Sequence, residues 1–512
     1  MPQAAHHQSY WNATTPRTSY PPLSGTVQAD VAIIGGGIVG VTLARMLKDR
    51  DISFALVEAR HVGEEVTGKS TAKVTSQHNV AYTKIARKFG EKGAAHYAEA
   101  NETGLRTIVD LVGRHGLSCN LERCAAVTYT RDERHVAEIE QEVDLARRLG
   151  LPASLTRDTG LPFDVRAAMR WEDQAQFHPV RYVKGLAATL PGDGGHVFEQ
   201  SRVVDWEAHK VSTETGTVEA RHVVMATHLP LGQTGLLYAE THPFMHPVIM
   251  GRVEAGRLPR GMYINVESPR HSVRGHRDDQ GQDWIICAGP SFKHGHVQQE
   301  QEAFIEIERF AAQHFGMVAE YRWTNEDYAP IDHAPFVGWS SRSPGACLVA
   351  TGFNAWGITT GTAAANLLAD LISDRDNPWL ELFDARRVKP IAGGAEFVKN
   401  NAEVARDLVG GYLAPKPGGL DALEPGEGAI LKIDGRNVAA YRAPDGQIHA
   451  LSAVCTHMGC LVGWNSTDRS WDCPCHGSRY AVDGSVIHGP AVKALQPHGK
   501  AQSDPDQATL SA

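Results

Sequence analysis

The chain has 512 residues, 42% hydrophobic and 21% charged, too many for one compact core, so two or more domains are expected. Its net charge of −9 argues against a nucleic-acid backbone as the main partner, which would need a basic face. No run of roughly eighteen apolar residues appears, so no membrane span is expected. The first stretch, MPQAAHHQSYWNATTPRTSYPPLSG, has neither a charged start followed by an apolar run nor a twin arginine. Residues 1–27 therefore read as an N-terminal extension, and the expected compartment is the cytoplasm, where disulfides are uncommon.

Next comes ADVAIIGGGIVGVTLARML, which reads as a buried strand over Val31 to Ile34, a glycine turn, and a helix with Ile38, Val41 and Ala44 toward the core. Gly35, Gly37 and Gly40 satisfy G-x-G-x-x-G, a weak pattern alone. Here it follows a strand and opens a helix, and a second strand, FALVEAR, ends in Glu58. That context is the dinucleotide fingerprint, with pyrophosphate at the helix N-terminus and the acid on the ribose hydroxyls. It fits NAD or FAD. From about Gly281 the sequence turns to β-like runs such as DWIICAG. CLVATGFNAWGITTGTAAANLLADLI reads as strand, glycine turn and helix.

The N-terminal fingerprint and this late segment together resemble the FAD-dependent glycine and D-amino-acid oxidase superfamily over about residues 28–385. The resemblance implies an α/β FAD-binding domain of Rossmann-like type with an antiparallel-sheet substrate domain, across 28–400. It also implies cofactor contacts from Gly35, Gly37, Ile38, Val39, Gly40, Glu58, Ala59 and Arg60. TGKSTAKVTSQH would add Ser70 and Thr71, Val203 would follow, and VVMATHLP would add Ala226 and Thr227. The late turn would add Gly352, Gly357, Ile358 and Thr359. Lys73, His78, Asn354 and Trp356 are the candidates for touching substrate or the flavin ring. The late segment lacks the cysteine through which some members attach FAD, so the flavin is expected to be non-covalent.

Other residues invite competing readings. His271, His276, Asp278 and Asp279 could be assembled into a two-His-one-carboxylate site, and Arg274 into a carboxylate clamp. The blander reading puts the histidines in a polar loop, exposed to solvent or in the substrate domain, and Arg274 in an exposed loop rich in glycine and aspartate. Cys119, Cys124 and Cys287 read as small core hydrophobes, and Cys347, at the start of the late strand, is given no special role.

A charged helical stretch, AEFVKNNAEVARDLVGGYL, then leads into APKPGGLDALEPGEG, whose prolines and glycines mark a linker at 401–419. Beyond it, GAILKIDG, RNVAAYRAPDG and QIHALSAV alternate apolar and polar residues around Asp-Gly turns, as a small antiparallel domain does. Four of the eight cysteines crowd into CTHMGC and CPCHGS. Thiolate and imidazole together suit zinc or iron–sulfur iron, so ligand type leaves both open. Each half mixes the types, Cys455-x-His457 and Cys473-x-x-His476, and that order is similar to Rieske proteins over about residues 420–505. The resemblance implies an all-β Rieske domain at 420–512 and a 2Fe–2S cluster held by Cys455, His457, Cys473 and His476. Its respiratory subclass further implies a Cys460–Cys475 disulfide, hydrogen bonds to cluster sulfur from Ser478 and Tyr480, and a covering loop at HGPA.

Together the parts imply an oxidoreductase that takes a hydride from a small amine or amino-acid-like substrate and passes single electrons through the cluster. The acceptor would be a ferredoxin, cytochrome or quinone-type carrier. A flavin oxidase or monooxygenase, and a redox-sensing module without turnover, are the alternatives.

Overall fold

The computed structural model describes residues 5–232, 237–341, 343, 345–387, 412 and 419–498. The 395–413 helical stretch and the 401–419 linker fall outside them, apart from residues 412 and 419. The chain divides into two compact units, the first holding two large sheets and the second two small ones.

The first large sheet is built on Gly25–Ile34, whose last four residues are wholly buried. It pairs in parallel with Phe54–Val57 on one side and Gly216–Met225 on the other. Gly195–Phe198 and Cys347–Thr351 extend the parallel array, and Phe336–Trp339 closes one edge antiparallel. Near-continuous apolar strands such as FALV are what a sheet covered on both faces requires. Helices Ile38–Lys48 and Thr359–Ile372 pack on it, with Ile38, Val41 and Ala44 buried as expected. A 35-residue helical stretch, Ala81–His115, broken at Gly90, also packs against Thr359–Ile372.

The second sheet has nine strands. Its pairings are antiparallel except where Met262–Asn265 runs parallel to Glu122–Thr130. The sheet reaches well beyond the β-like runs after Gly281, taking in Lys73–Val74 and Glu122–Thr130 as well as Thr241–Arg252 and Ser272–Arg277. The exposed-loop reading of 271–276 is overturned: Ser272–Arg277 is a central strand, and Arg274 is 1% exposed.

In the second unit, Gly428–Ile433, Arg436–Arg442 and Ile448–Ser452 form a three-stranded meander. The first hairpin turns on Asp434-Gly435, both at positive φ, as a two-residue Asp-Gly turn demands. Four short strands, Gly463–Asn465, Ser470–Asp472, Arg479–Tyr480 and Val486–His488, form the other sheet. Among the described residues no helix is long and apolar enough to cross a membrane.

Candidate cofactor sites

The glycine turn after Gly25–Ile34 is shaped by close approach. Gly35 has φ 109°, and a Cβ there would meet the Ala226 carbonyl oxygen at 2.5 Å. At Gly40 a Cβ would lie 2.0 Å from the Gly35 carbonyl oxygen, so the helix can start this close to the strand only with glycine. Gly37 caps the helix with no side chain of its own, and the Thr67 hydroxyl accepts from Ile38 N at 3.1 Å. A helix N-terminus left clear of bulk in this way suits a pyrophosphate. Glu58 sits just past the second strand, its carboxylate accepting from Gly36 N at 2.7 Å and Arg60 N at 2.8 Å. These bonds fix the acid beside the turn, where a ribose would reach it.

The other expected contacts lie on several elements. Ala226 N donates to the Ile34 carbonyl, and the Thr227 hydroxyl donates to Leu229. Arg60 pairs with Glu65, its carbonyl accepts from Gln200 N, and Ala59 lies between Arg60 and the carboxylate of Glu58. Val203 packs with Ala32, Ile34, Ala55 and Val57 behind the sheet. The Ser70 hydroxyl bonds within its own loop, to the Thr67 carbonyl and Ala72 N. Thr67, from the same stretch as Ser70 and Thr71, is a hydroxyl that reaches the glycine turn.

The late turn brings a second group together. Gly352 has φ 77°, and Asn354 and Ala355 also take positive φ. Asp327 holds this unusual backbone by accepting from Ala355 N at 2.7 Å, and burial pushes its carboxyl up to about 7. Asp327 was not anticipated, because an acid inside a strand gives no sign of which turn it will brace. Trp356 stacks on His78 with ring centroids 4.6 Å apart. His78 Nε2 lies 2.8 Å from the Thr75 carbonyl and 3.1 Å from the Thr359 hydroxyl, while Nδ1 lies 2.6 Å from the Tyr97 hydroxyl. A carbonyl only accepts, so Nε2 carries the proton and Nδ1 accepts from Tyr97. Burial pushes the imidazole down to about 3, so it stays neutral. Gly357 and Ile358 lead directly into Thr359–Ile372.

Lys73 makes its bonds elsewhere, to the Ser272 hydroxyl and, at 3.5 Å, to the Thr71 hydroxyl. Burial, assisted by the neighbouring Arg274, pushes its ammonium down to about 7. Arg274 itself is no clamp for a substrate, because its guanidinium donates to the carbonyls of Thr71, Gly275 and Phe177. The two-His-one-carboxylate alternative also dissolves. His271 stacks on Phe310 and bonds Glu306, His276 packs edge-on to Tyr10 and Trp11, Asp278 accepts from Trp284, and Asp279 pairs with Arg181.

In the second unit, CTHMGC and CPCHGS fold into the same loop twice. Cys455 N donates to Cys460 O at 2.8 Å, and Cys473 N to Ser478 O at 2.8 Å. Each loop closes through a glycine at positive φ, Gly459 or Gly477, whose N–H returns to the first cysteine's carbonyl. The His457 and His476 rings face each other at 5.1 Å, nearly perpendicular. Cys460 and Cys475 are joined by a disulfide, and their sulfurs lie within 4.8 Å of the Cys473 sulfur. Two thiols and two imidazoles thus remain on paired loops, a donor set that fits a 2Fe–2S cluster.

Two hydroxyls stand beside Cys455. Thr456 gives its hydroxyl proton to the Lys493 carbonyl at 2.6 Å, which leaves the Tyr480 proton two acceptors, Cys455 Sγ at 3.2 Å and the Thr456 oxygen at 3.1 Å, and Tyr480 is assigned here to the sulfur. The Ser478 hydroxyl accepts from Ala491 N in the HGPA loop and keeps its own proton for Cys455. Bonds to sulfur favour the more negative, reduced cluster. Tyr480→Phe should therefore lower the potential by about 50 mV, the equivalent of one hydrogen bond of about 1 kcal/mol in a one-electron couple. Spectroelectrochemical titration of the cluster signal checks this; an unchanged potential would contradict the assigned donor.

Comparison with known proteins bears on both units. Residues 30–371 match the family of FAD dependent oxidoreductases, and residues 419–499 match the Rieske [2Fe-2S] domain. The chain is 33% identical over 494 residues to the Bacillus subtilis (strain 168) protein YhfW, named for a Rieske 2Fe–2S centre, covering 96% of this chain and 97% of that one. Over 71 residues it is 45% identical to the cytochrome b6-f complex iron-sulfur subunit of Synechococcus sp. (strain JA-3-3Ab), covering 14% of this chain and 37% of that subunit. In fold it is similar to glycine oxidase from Geobacillus kaustophilus, with TM-score 0.58 at 17% identity, covering 71% of this chain and all of that one. The glycine turn with Glu58 and the paired Cys/His loops thus have their explanation: the chain belongs to the FAD-dependent oxidoreductase family and carries a Rieske 2Fe–2S domain in the same polypeptide.

Proposed function

We propose that the protein is a dehydrogenase of a small amine or amino-acid-like substrate, delivering single electrons to an external carrier such as a ferredoxin, cytochrome or quinone. The observation that carries this reading is the union of an FAD-family fold and a Rieske domain in one chain. When bound, the flavin supplies hydride acceptance and the division of an electron pair, and the cluster supplies one-electron relay. We assign Gly35, Gly37, Ile38, Val39, Gly40 and Glu58 to FAD, and Cys455, His457, Cys473 and His476 to the cluster. FAD is held without a covalent bond, since both His78 nitrogens are engaged in hydrogen bonds.

The chain's side chains then divide the remaining work. His78, neutral and bonded on both sides, positions Trp356 and Thr359 rather than moving protons. Asp327 fixes the turn that carries Asn354 and Trp356, the two residues assigned to the substrate side of the flavin. We assign proton transfer to Lys73, whose amine bonds Ser272 and Thr71 beside the Ser70–Thr71 stretch and which burial brings down to about 7. A substrate amine must lose its ammonium proton before its C–H can leave as hydride, and neutral Lys73 would accept that proton. The amine fold-neighbour, glycine oxidase, supports this substrate class.

Flavin reduction by substrate should accordingly rise with pH through about 7, the value to which burial lowers Lys73, and not near the free-lysine value. Lys73→Met should remove that limb and slow anaerobic flavin bleaching on the order of 100-fold. Stopped-flow absorbance across pH tests it. A Lys73→Met protein with the wild-type rate and pH profile would overturn the role of this lysine.

A further inference from the structure

The segment before the first strand lies ahead of the family match, which starts at residue 30, yet it is packed into the first unit. Ser9 and Trp11 are 2% and 0% exposed. Their bonds go to one short loop. The Ser9 hydroxyl donates to the Gly68 carbonyl, Trp11 Nε1 to the Ser70 carbonyl at 2.9 Å, and Asn12 Nδ2 to the Glu64 carbonyl at 2.8 Å. Asn12 also lies so close to Gly68 that a Cβ there would meet its side-chain oxygen at 2.6 Å.

The second sheet grips the same loop from its other side. Trp323 Nε1 donates to the Lys69 carbonyl at 2.7 Å, and Arg274 Nε donates to that of Thr71. The Arg274 guanidinium in turn lies 5.2 Å from the centre of the Trp11 ring. With the Ser70 hydroxyl on Thr67, every carbonyl from Thr67 to Thr71 is occupied by a side-chain donor. This loop touches the glycine turn directly, through the Thr67 hydroxyl on Ile38 N. A carbonyl facing that turn would repel a pyrophosphate, and a bound carbonyl cannot swing toward it.

We propose that residues 9–12 are a working part of the FAD site, holding the 64–71 loop in the form that accepts the cofactor's pyrophosphate. Arm and cofactor then bind the rest of the chain cooperatively, and each strengthens the other by the same factor. Trp11 and Ser9 are positioning residues that act through the loop. The inference rests on FAD occupying the glycine turn, and is independent of which substrate is oxidised.

The test uses full-length protein stripped of flavin and titrated with FAD by fluorescence quenching. Trp11→Phe keeps the ring and removes one donor to a buried carbonyl, so the FAD Kd should rise about tenfold. Ser9→Ala should weaken FAD similarly, and deletion of residues 2–13 should do so by about 100-fold or more. A synthetic peptide of residues 1–24 should bind the deleted protein more tightly with FAD present than without it. A strap with a structural role alone would lower the melting temperatures of the flavin-free and flavin-bound forms together while leaving Kd unchanged. Kd values within twofold of wild type in both Trp11→Phe and Ser9→Ala would overturn the proposal, even if the deleted chain does not fold.

Discussion

Gly40→Ala is expected to give a protein that keeps its iron–sulfur signal and loses its yellow colour. The added Cβ would sit 2.0 Å from the Gly35 carbonyl oxygen, backbone against side chain at the first turn of the helix. No rotamer relieves that contact, since a Cβ has none. Relief comes only if the helix draws away from the strand, which moves the Ile38 N–H and the helix dipole away from the phosphates they would bind. A loss of FAD affinity on the order of 100-fold or more follows, because an unrelieved backbone clash is among the few changes that cost several kcal/mol. Gly113→Ala is the internal control, since it lies inside the helix Ala81–His115 with nothing within 4 Å of an added Cβ and should leave FAD binding unchanged. Flavin absorbance per chain after purification, together with FAD titration, decides the matter. Full retention of FAD in Gly40→Ala would mean the glycine turn is not the pyrophosphate site.

The second large effect concerns the disulfide. Cys460→Ser with Cys475→Ser should leave FAD content unchanged and make the cluster labile. The bridge joins the two ligand loops, with Cys460 closing the first through its carbonyl and Cys475 standing beside His476 in the second. Both cysteines are buried, at 3% and 1% exposure. A cross-link closing about fifteen residues constrains the chain by roughly 3 kcal/mol, and here that constraint falls on the groups that hold iron. Iron and acid-labile sulfide per chain, followed over hours in air, should decline several-fold faster than in the wild type. Equal cluster lifetimes would show that the loops hold the metal without the bridge.

The parts of the protein that were legible in the sequence are those where a local rule forces a local structure. Gly35 and Gly40 leave space that only glycine leaves, Asp434-Gly435 makes a turn few other pairs make, and Cys455-x-His457 with Cys473-x-x-His476 puts ligands on repeated loops. What stayed hidden depends on partners distant in the chain. Arg274 and His276 read as surface residues because their charge and polarity imply water. In the fold, Arg274 is satisfied by backbone carbonyls and His276 is wedged against Tyr10 and Trp11. Buried polar groups are tolerated when hydrogen-bonded, and sequence spacing does not reveal such bonds. The strand Ala167–Gln176, AAMRWEDQAQ, escaped for a related reason: its neighbours on both sides set its burial pattern, which does not alternate. Asp327 and Trp11 were invisible in the same sense, since each acts on a loop far away in the chain.

The central claim is that one substrate reduces the flavin and that the electrons then appear in the cluster. An anaerobic titration with a panel of amines and amino acids tests it most directly, following flavin absorbance and the low-average-g electron paramagnetic resonance signal of a Cys/His cluster in the same sample. At least one compound should bleach the flavin and bring up the cluster signal together, with the cluster signal absent and bleaching retained in Cys473→Ser. Substrate-driven bleaching that leaves the wild-type cluster oxidised, with peroxide released once air is admitted, would contradict that claim.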